Sequence, residues 1–419
     1  MTVANLFRSC LLLLLIDLTG IASSLDWPQF RGPTGQGISS DAVPPVQWSP
    51  TENVKWKIAL PGEGWSSPIV YGDALYVTLA MVDDRKNPTS LRVACIDKAS
   101  GDIRWNREVL PWQGPSQRQT KNSHASPSPL AHEDRIYAHF GHMGTACVTT
   151  AGKVLWQQQT LRYDPKNGNG GSPVLYQDKL IFHCDGKEDP YVAALNKDTG
   201  HVVWRTPRLP TEAPRFSHST PLLIQDQGRD LLISPGSGSV DAYAPHDGTL
   251  VWRVRYGKGY SIIPRPVHAR GLIYVGTGYT KANIYAIRTG GQGDVTDTHI
   301  AWQTKSSAPH TPSPLLVGNE LYFLADNGTA SCVDAQTGAL HWQEKLNGKF
   351  SASPTAAANR IYWVDEDGKT TVTQVGRVFK KLAENVLAQR TLASPALSGS
   401  ALFLRTQTHL YRLEEIPSL

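Results

Sequence analysis

The amino-acid sequence predicts an all-β protein, an eight-bladed β-propeller of four-stranded antiparallel blades closed by an N-terminal strand that joins the C-terminal blade. Three observations carry this. A Pro recurs at Pro68, Pro129, Pro173, Pro221, Pro266, Pro314, Pro354 and Pro395, and Ser or Thr precedes seven of them, Arg265 being the exception. In seven of the eight units an aliphatic residue follows seven positions later: Leu75, Ile136, Leu180, Ile273, Leu321, Ile361 and Leu402. In the Pro221 unit, Gln225 to Arg229 reads as an insertion before Leu231. Finally, Trp recurs at 56, 105, 156, 204, 252, 302 and 342, five times four positions after a turn glycine: Gly101, Gly152, Gly200, Gly248 and Gly338. Self-similarity of this kind is the mark of a repeat architecture.

Taken in chain order, the first element is a targeting segment. Arg8 supplies a positive region, Cys10 to Ile16 an apolar core, and Ala22-Ser23-Ser24 the small residues of a cleavage site. Residues 1–24 therefore read as a signal peptide cleaved near Ser24, which predicts a periplasmic or secreted protein. No other stretch reaches the ~18 uninterrupted apolar residues of a membrane-spanning helix. Residues 25–53 read as an N-terminal extended segment and residues 54–415 as the propeller. Within a unit the Pro opens a strand, where its missing N–H costs least. Alternating runs such as Leu75-Tyr76-Val77, Ile273-Tyr274-Val275 and Leu321-Tyr322-Phe323 form a second strand, and Val93 to Asp97, Ala193 to Asn196 or Ile284 to Ile287 a third. A hairpin turn with Gly at the positive-φ position leads into the Trp strand.

Ring closure accounts for the ends. Val54 to Lys57 forms a Trp strand before the first Pro, whereas the last unit, from Pro395, ends without one. Residues 54–58 are thus expected to supply the outer strand of the last blade, hiding two open sheet edges. Phe379 lies near the place of the missing Trp in the seventh unit, and eight blades is the expected count, with seven as the alternative.

The 419 residues carry 41 Lys and Arg against 36 Asp and Glu, a formal charge of +5, and only 18% are charged. With no Lys or Arg run longer than two residues, nothing favours a nucleic-acid surface. Four cysteines follow the leader: Cys95, Cys147, Cys184 and Cys332. They are separated, form no C-x-x-C, and three share one phase of the repeat, so they are expected as packed strand residues rather than a disulfide framework. No G-x-S-x-G, Walker-type or H-E-x-x-H motif occurs. His139 and His142 would meet a metal only across a turn. Asp365 to Gly368 lacks the remaining ligands of a calcium loop and reads as a hairpin turn.

The repeating S-P…L-Y-V…A-x-D-x-x-T-G-x-x-x-W pattern resembles the pyrroloquinoline-quinone (PQQ) repeat family over nearly all of the chain after the leader, and Asp26 to Pro33 is similar to the start of its exported propellers. The resemblance implies one of two branches. Quinoprotein dehydrogenases bind PQQ, usually with Ca²⁺, over the central channel, whereas BamB-like relatives use the fold as a scaffold for partners. The chain lacks the adjacent cysteine pair, the long insertions and a clear match to the Ca²⁺-binding Glu, Asn and Asp set of the first branch. It also lacks the lipidated cysteine of the second.

In a propeller the strands that open each blade surround the channel, so residues three to five before each Pro are expected to crowd one mouth. Those positions hold Glu63, Trp65, His124, Asn169, Ser217, His218, Ser261, His310, Thr311, Lys349 and Arg390. A ring of His, Lys, Arg and Glu with one Trp suits an anionic or planar ligand, the cations answering carboxylates. The alternative is a set of ordinary polar loop residues around a water-filled channel. The expected protein is an exported, monomeric binding or scaffold module with a protein partner or a small-molecule ligand. The alternative is a PQQ-dependent oxidoreductase, with Trp65 or a nearby aromatic stacked on the quinone and a cation such as Lys349 or Arg390 pairing its carboxylates.

Overall fold

The computed structural model describes residues 26–416 except 210, 212 and 281, so the expected leader lies outside the described residues. The chain forms eight sheets of four antiparallel strands, the fourth extended by a short parallel strand, Gly293–Asp294, beside Leu250–Arg255. In every one the innermost strand starts at the residue after the repeat proline: Ile69, Leu130, Val174, Leu222, Val267, Leu315, Thr355 and Ala396. Proline there removes no ladder bond, and its fixed φ delivers the chain extended into the strand. Each sheet then runs outward in chain order, as in the first blade: Ile69–Tyr71, Ala74–Val82, Pro88–Asp97 and Ile103–Pro111. Second and third strands lie between two neighbouring blades, so a run such as Ala401–Arg405 is buried on both faces. Among the described residues no helix is long and apolar enough to cross a membrane.

The ends close as the repeat pattern requires. Ala396–Ser398, Ala401–Arg405 and His409–Leu413 are completed by Val54–Ala59, antiparallel to the last of them with Lys57 opposite Tyr411 and Ala59 opposite His409. The innermost strands of the first and eighth blades touch, which makes the circle continuous.

Two inter-blade ties explain the two repeated sequence marks. The residue before each proline donates its backbone N–H to the hydroxyl of the equivalent residue in the next blade. The bonds run Ser67 to Ser128, Ser128 to Ser172 and Ser172 to Thr220, then Arg265 to Ser313, Ser313 to Ser353, Ser353 to Ser394 and Ser394 back to Ser67, at 2.9–3.1 Å. The link from Thr220 has no hydroxyl to reach, because Arg265 occupies the position. Ser219 Oγ donates to the Pro264 carbonyl (2.9 Å) there, and the Arg265 Nε to that of Pro221 (3.2 Å).

Farther out, five of the Trp rings lie against the hairpin turn of the following blade. A Cβ on Gly101, Gly152, Gly200, Gly248 or Gly338 would meet the ring of Trp56, Trp105, Trp156, Trp204 or Trp302 at 2.5–2.9 Å, and all five glycines have φ between +72° and +86°. The same indoles donate to carbonyls of those turns, for example Trp156 to Lys197 at 2.9 Å. The recurring Gly is therefore required twice, by the turn and by the neighbouring ring.

Two details differ from the sequence expectation. Phe379 does not stand in for the missing Trp. That register position in the seventh blade is Ala383, opposite Val372, while Phe379 packs edge-on against Trp342 of the sixth blade at 5.2 Å. In the fourth blade the insertion lengthens the first hairpin, whose strands are Leu222–Asp226 and Arg229–Gly236. Leu232, opposite Leu223, fills the place that Leu402 takes opposite Leu397, rather than Leu231.

Residues 26–48 run across one end of the channel. Trp27 pairs with Val70 of the first blade, and the Pro28 carbonyl accepts from Ala131 of the second. The Phe30 carbonyl accepts from Arg265 at 2.5 Å, and the Arg31 guanidinium reaches the Pro314 carbonyl of the sixth blade at 2.7 Å. Gly37 and Ser39 bond Ala356 of the seventh blade, and Val43 bonds Gly399 of the eighth. Burial pushes the pKa of Arg31 and of Arg265 down to about 9, the facing Arg265 charge adding to the effect on Arg31. Both still carry charge at neutral pH, and backbone carbonyls supply the acceptors that carboxylates would otherwise provide.

Gly200→Ala is expected to cost more than backbone strain alone. Gly72 has a similar φ (+60°) with no atom within 4 Å of a Cβ, whereas at Gly200 a Cβ would sit 2.5 Å from Trp156. In urea denaturation Gly72→Ala should lose about 1 kcal/mol and Gly200→Ala at least twice that. Equal losses would show that the Trp–Gly contact does not restrict the position.

Candidate functional site: a blind funnel at the channel mouth

The extended segment leading into each blade alternates its side chains, so positions one and three before the proline face one way and position two the other. This parity builds the site. Three residues before the prolines, Trp65, Ser126, Gly170, His218, Ile263, Thr311, Ser351 and Leu392 all line one cavity of about 630 Å³. One residue before, Ser67, Ser128, Ser172, Ser313, Ser353 and Ser394 line its throat. Phe30 lines the same cavity and comes from the segment that crosses the channel. The funnel lies on the approach to the proline ring and that crossing segment at and beyond it, so the channel is blind.

Loops complete the walls. Gln119 to Asn122, from the connection between the first and second blades, overhang the mouth, and the Lys121 amine reaches Glu366 of the seventh blade at 2.6 Å. The Asn122 amide donates to the Asn167 carbonyl at 2.8 Å. On the side of the fourth and fifth blades, Phe216 and Tyr260 meet edge to face at 5.4 Å, and Tyr279, 40% exposed, stacks on His310 at 4.4 Å. Trp65, from the first blade, belongs to the opposite side of an eight-membered ring. The Lys166 amine lies 5.3 Å from the Phe216 ring centre and the Arg390 guanidinium 5.7 Å from that of Trp65. The residues lining the cavity include two lysines and neither Asp nor Glu.

The structure distributes the sequence-selected residues as follows. Trp65, His218, Ser261 and Thr311 line the funnel. Arg390 caps Trp65 and His310 backs Tyr279, so both act on the wall from behind or above. Lys349 is exposed and its carbonyl accepts from the Glu366 amide. Glu63 is held between Lys86 (2.9 Å) and Arg118 (3.1 Å). His124 is buried against the Lys86 carbonyl, Ser217 is buried with its hydroxyl donating to the Ile262 carbonyl at 3.2 Å, and Asn169 is buried among Phe140, His142 and Tyr163. The residues missed include the serines one position before six of the prolines, the other lining residues three positions before, and the loop residues Lys166, Phe216, Tyr260 and Tyr279. Strand alternation was the available signal for the first two sets, but the aromatics sit in loops that the repeat does not number.

The remaining motifs are structural. His139 bonds Thr145 at 2.8 Å and stacks on Phe182, while His142 turns to Asn169. Asp365 accepts the amides of Asp367 and Lys369 and closes the expected hairpin.

The fold and site define a class: an eight-bladed propeller whose channel is closed at one end and open as a polar, aromatic-walled funnel at the other. The family model described as "Outer membrane protein assembly factor BamB" matches residues 46–189, 159–293 and 236–407, and the chain belongs to that family. No curated protein matches the chain. Among solved structures, BamB from Moraxella catarrhalis is 14% identical, covering 87% of this chain and 98% of its own, with a TM-score of 0.60. The quinohemoprotein alcohol dehydrogenase ADHIIG from Pseudomonas putida HK5 is 12% identical, covering 94% and 81%, with a TM-score of 0.63. The computationally designed Ika8 protein reaches 0.57 at 9% identity, covering 85% and 98%. At such identities these likenesses show the fold alone.

The donor set does not fit the quinone–calcium pair of the dehydrogenase branch. Among the described residues no three His, Cys, Asp or Glu side chains converge. No carboxylate lines the funnel, and the four described cysteines are buried and free.

His218 gives the wall a pH signature. It is buried, its Nε2 has no hydrogen-bond partner, and burial lowers its pKa to about 4. The unfolded chain takes up this proton below about pH 6.5 and the folded chain only near pH 4, so its contribution to stability is lost as pH falls through that window. Between pH 7 and pH 5 the His218→Asn variant should lose about 2 kcal/mol less stability than the parent. Equal losses in urea midpoints would show that His218 is not held neutral by the fold.

Proposed function

We propose that the protein is an exported binding module whose funnel holds a small ligand while the propeller serves as a scaffold towards a protein partner. The observation that carries this is the shape and chemistry of the funnel. It is a blind cavity of about 630 Å³ with aromatic faces, a hydroxyl throat and no acidic lining, a concave site of the size that binds small molecules, here with more polar groups than most. Export is supported by the leader pattern of residues 1–24, and the partner role by the assembly-factor description of the family. The rival reading, a PQQ-dependent oxidoreductase, draws support from the Trp65–Arg390 pair, which suits a flat anion. It lacks a carboxylate set for the metal.

Native mass spectrometry of the purified chain after exposure to a small-molecule cell extract should show a retained adduct that the Trp65→Ala/Tyr279→Ala double variant loses. No adduct, or the same adduct on the variant, would overturn the funnel as the binding site. With PQQ and Ca²⁺ added, the quinone absorbance should separate from the protein on gel filtration, and no alcohol or sugar should reduce a dye. Stoichiometric retention would favour the rival.

A further inference from the structure

We infer that the funnel takes an acidic oligosaccharide, a chain of sugar rings bearing carboxylates. This rests on the funnel being the binding site and adds the ligand class. Three properties of the lining lead to it.

The first is charge. No Asp or Glu is among the lining residues, and among the described residues Lys166 has no carboxylate partner and Arg390 stands over Trp65 without one, whereas Lys121 is already paired with Glu366. Two unpaired, solvent-exposed cations beside aromatic rings at one mouth favour an anion, through an attraction that salt screens.

The second is hydrogen bonding. The throat hydroxyls of Ser67, Ser128, Ser172 and Ser394 each accept a backbone N–H, which fixes the oxygen and leaves the O–H to point elsewhere. Above them, the Asn167 side-chain amide adds a donor and an acceptor, and Gln119, whose Oε1 already accepts from Thr120, adds its NH2 donor. A flat aromatic acid would cover these groups and leave them unmatched, at roughly 1–3 kcal/mol for each one desolvated. A polyhydroxylated ring matches them, and sites built around ligand hydroxyls discriminate strongly against analogues that lack them.

The third is the placement of ring faces. Trp65 and Tyr279 come from the first and fifth blades, diametrically opposed in a ring of eight, and Tyr279 stays 40% exposed. Separate platforms on two sides of a wide mouth suit successive sugar rings of one chain rather than a single ring sandwiched between two faces.

Calorimetric titration of the purified full chain tests this. Trigalacturonate should bind at least tenfold tighter than neutral maltotriose in 50 mM salt, and the advantage should shrink in 500 mM salt. Lys166→Met should bring trigalacturonate down to the level of maltotriose, and Tyr279→Ala should weaken both about tenfold. Circular dichroism would establish that the variants are folded, and Lys166→Gln provides a second, polar replacement. Equal binding of the two sugars would overturn the acidic class. Binding of 2-naphthoate or hexaglutamate as tight as that of trigalacturonate would overturn the sugar class. Failure of every probe, with an extract compound still retained by the funnel in native mass spectrometry, would overturn this inference and leave the binding-module reading standing. Absence of any such adduct would remove both.

Discussion

The ring of hydroxyl-to-amide hydrogen bonds around the channel is the constraint on which the rest of the structure depends. A proline opens each blade, so the residue before it holds the last backbone N–H ahead of the sheet. That N–H is buried at the blade junction and needs an acceptor. The neighbouring Ser or Thr provides one in seven junctions at 2.9–3.1 Å. Each such bond is worth only about 1 kcal/mol net, but a buried donor left alone costs about 1–3 kcal/mol, so losing an acceptor matters more than the bond's own strength suggests. The ring also fixes the direction of every segment before it, and the alternation of those segments decides which side chains enter the funnel.

The one junction without a hydroxyl is where the N-terminal segment enters the structure's logic. Arg265 breaks the ring, and its guanidinium is turned to the Pro221 and Phe30 carbonyls instead. Arg31 of the crossing segment answers the Pro314 and Pro354 carbonyls on the far side. Gly35 and Gly37 leave room for these two guanidinium groups, since a Cβ at either would come within 2.6 Å of one. The exception in the repeat is thus the anchor of the plug. By closing the channel, that plug turns a through-pore into a site with a floor, with Phe30 as part of it.

Much of this was legible in the sequence because repetition amplifies it. Eight prolines with a hydroxyl before seven of them, and a Trp strand placed ahead of the first unit, sufficed for the fold, the blade count and the closure between Val54–Ala59 and His409–Leu413. The partner of each turn glycine was not legible, since the Trp it touches belongs to the preceding blade, more than forty residues earlier or, at Gly338, thirty-six. The candidate site was half legible. Trp65 and His218 share the lining parity, whereas Asn169 and His310 stand one position off it and face away. Glu63, His124, Lys349 and Arg390 lie five positions back, where loops have already turned: ion pairs hold Glu63 and a carbonyl holds His124, and of the sequence-selected residues at that distance only Ser261 lines the funnel. Tyr260 and Tyr279 depend on loop conformations that carry no periodic signal.

Amide hydrogen exchange tests the hydroxyl ring most directly. The backbone N–H groups of Ser67, Ser128, Ser172, Arg265, Ser313, Ser353 and Ser394 should exchange together, and only when the whole propeller opens, because each is buried on a hydroxyl of the next blade. The N–H of Thr220, which faces Arg265 and has no such acceptor, should exchange sooner. Fast, independent exchange of the seven, at rates typical of surface loops, would contradict the claim that this ring holds the blades and sets the funnel wall.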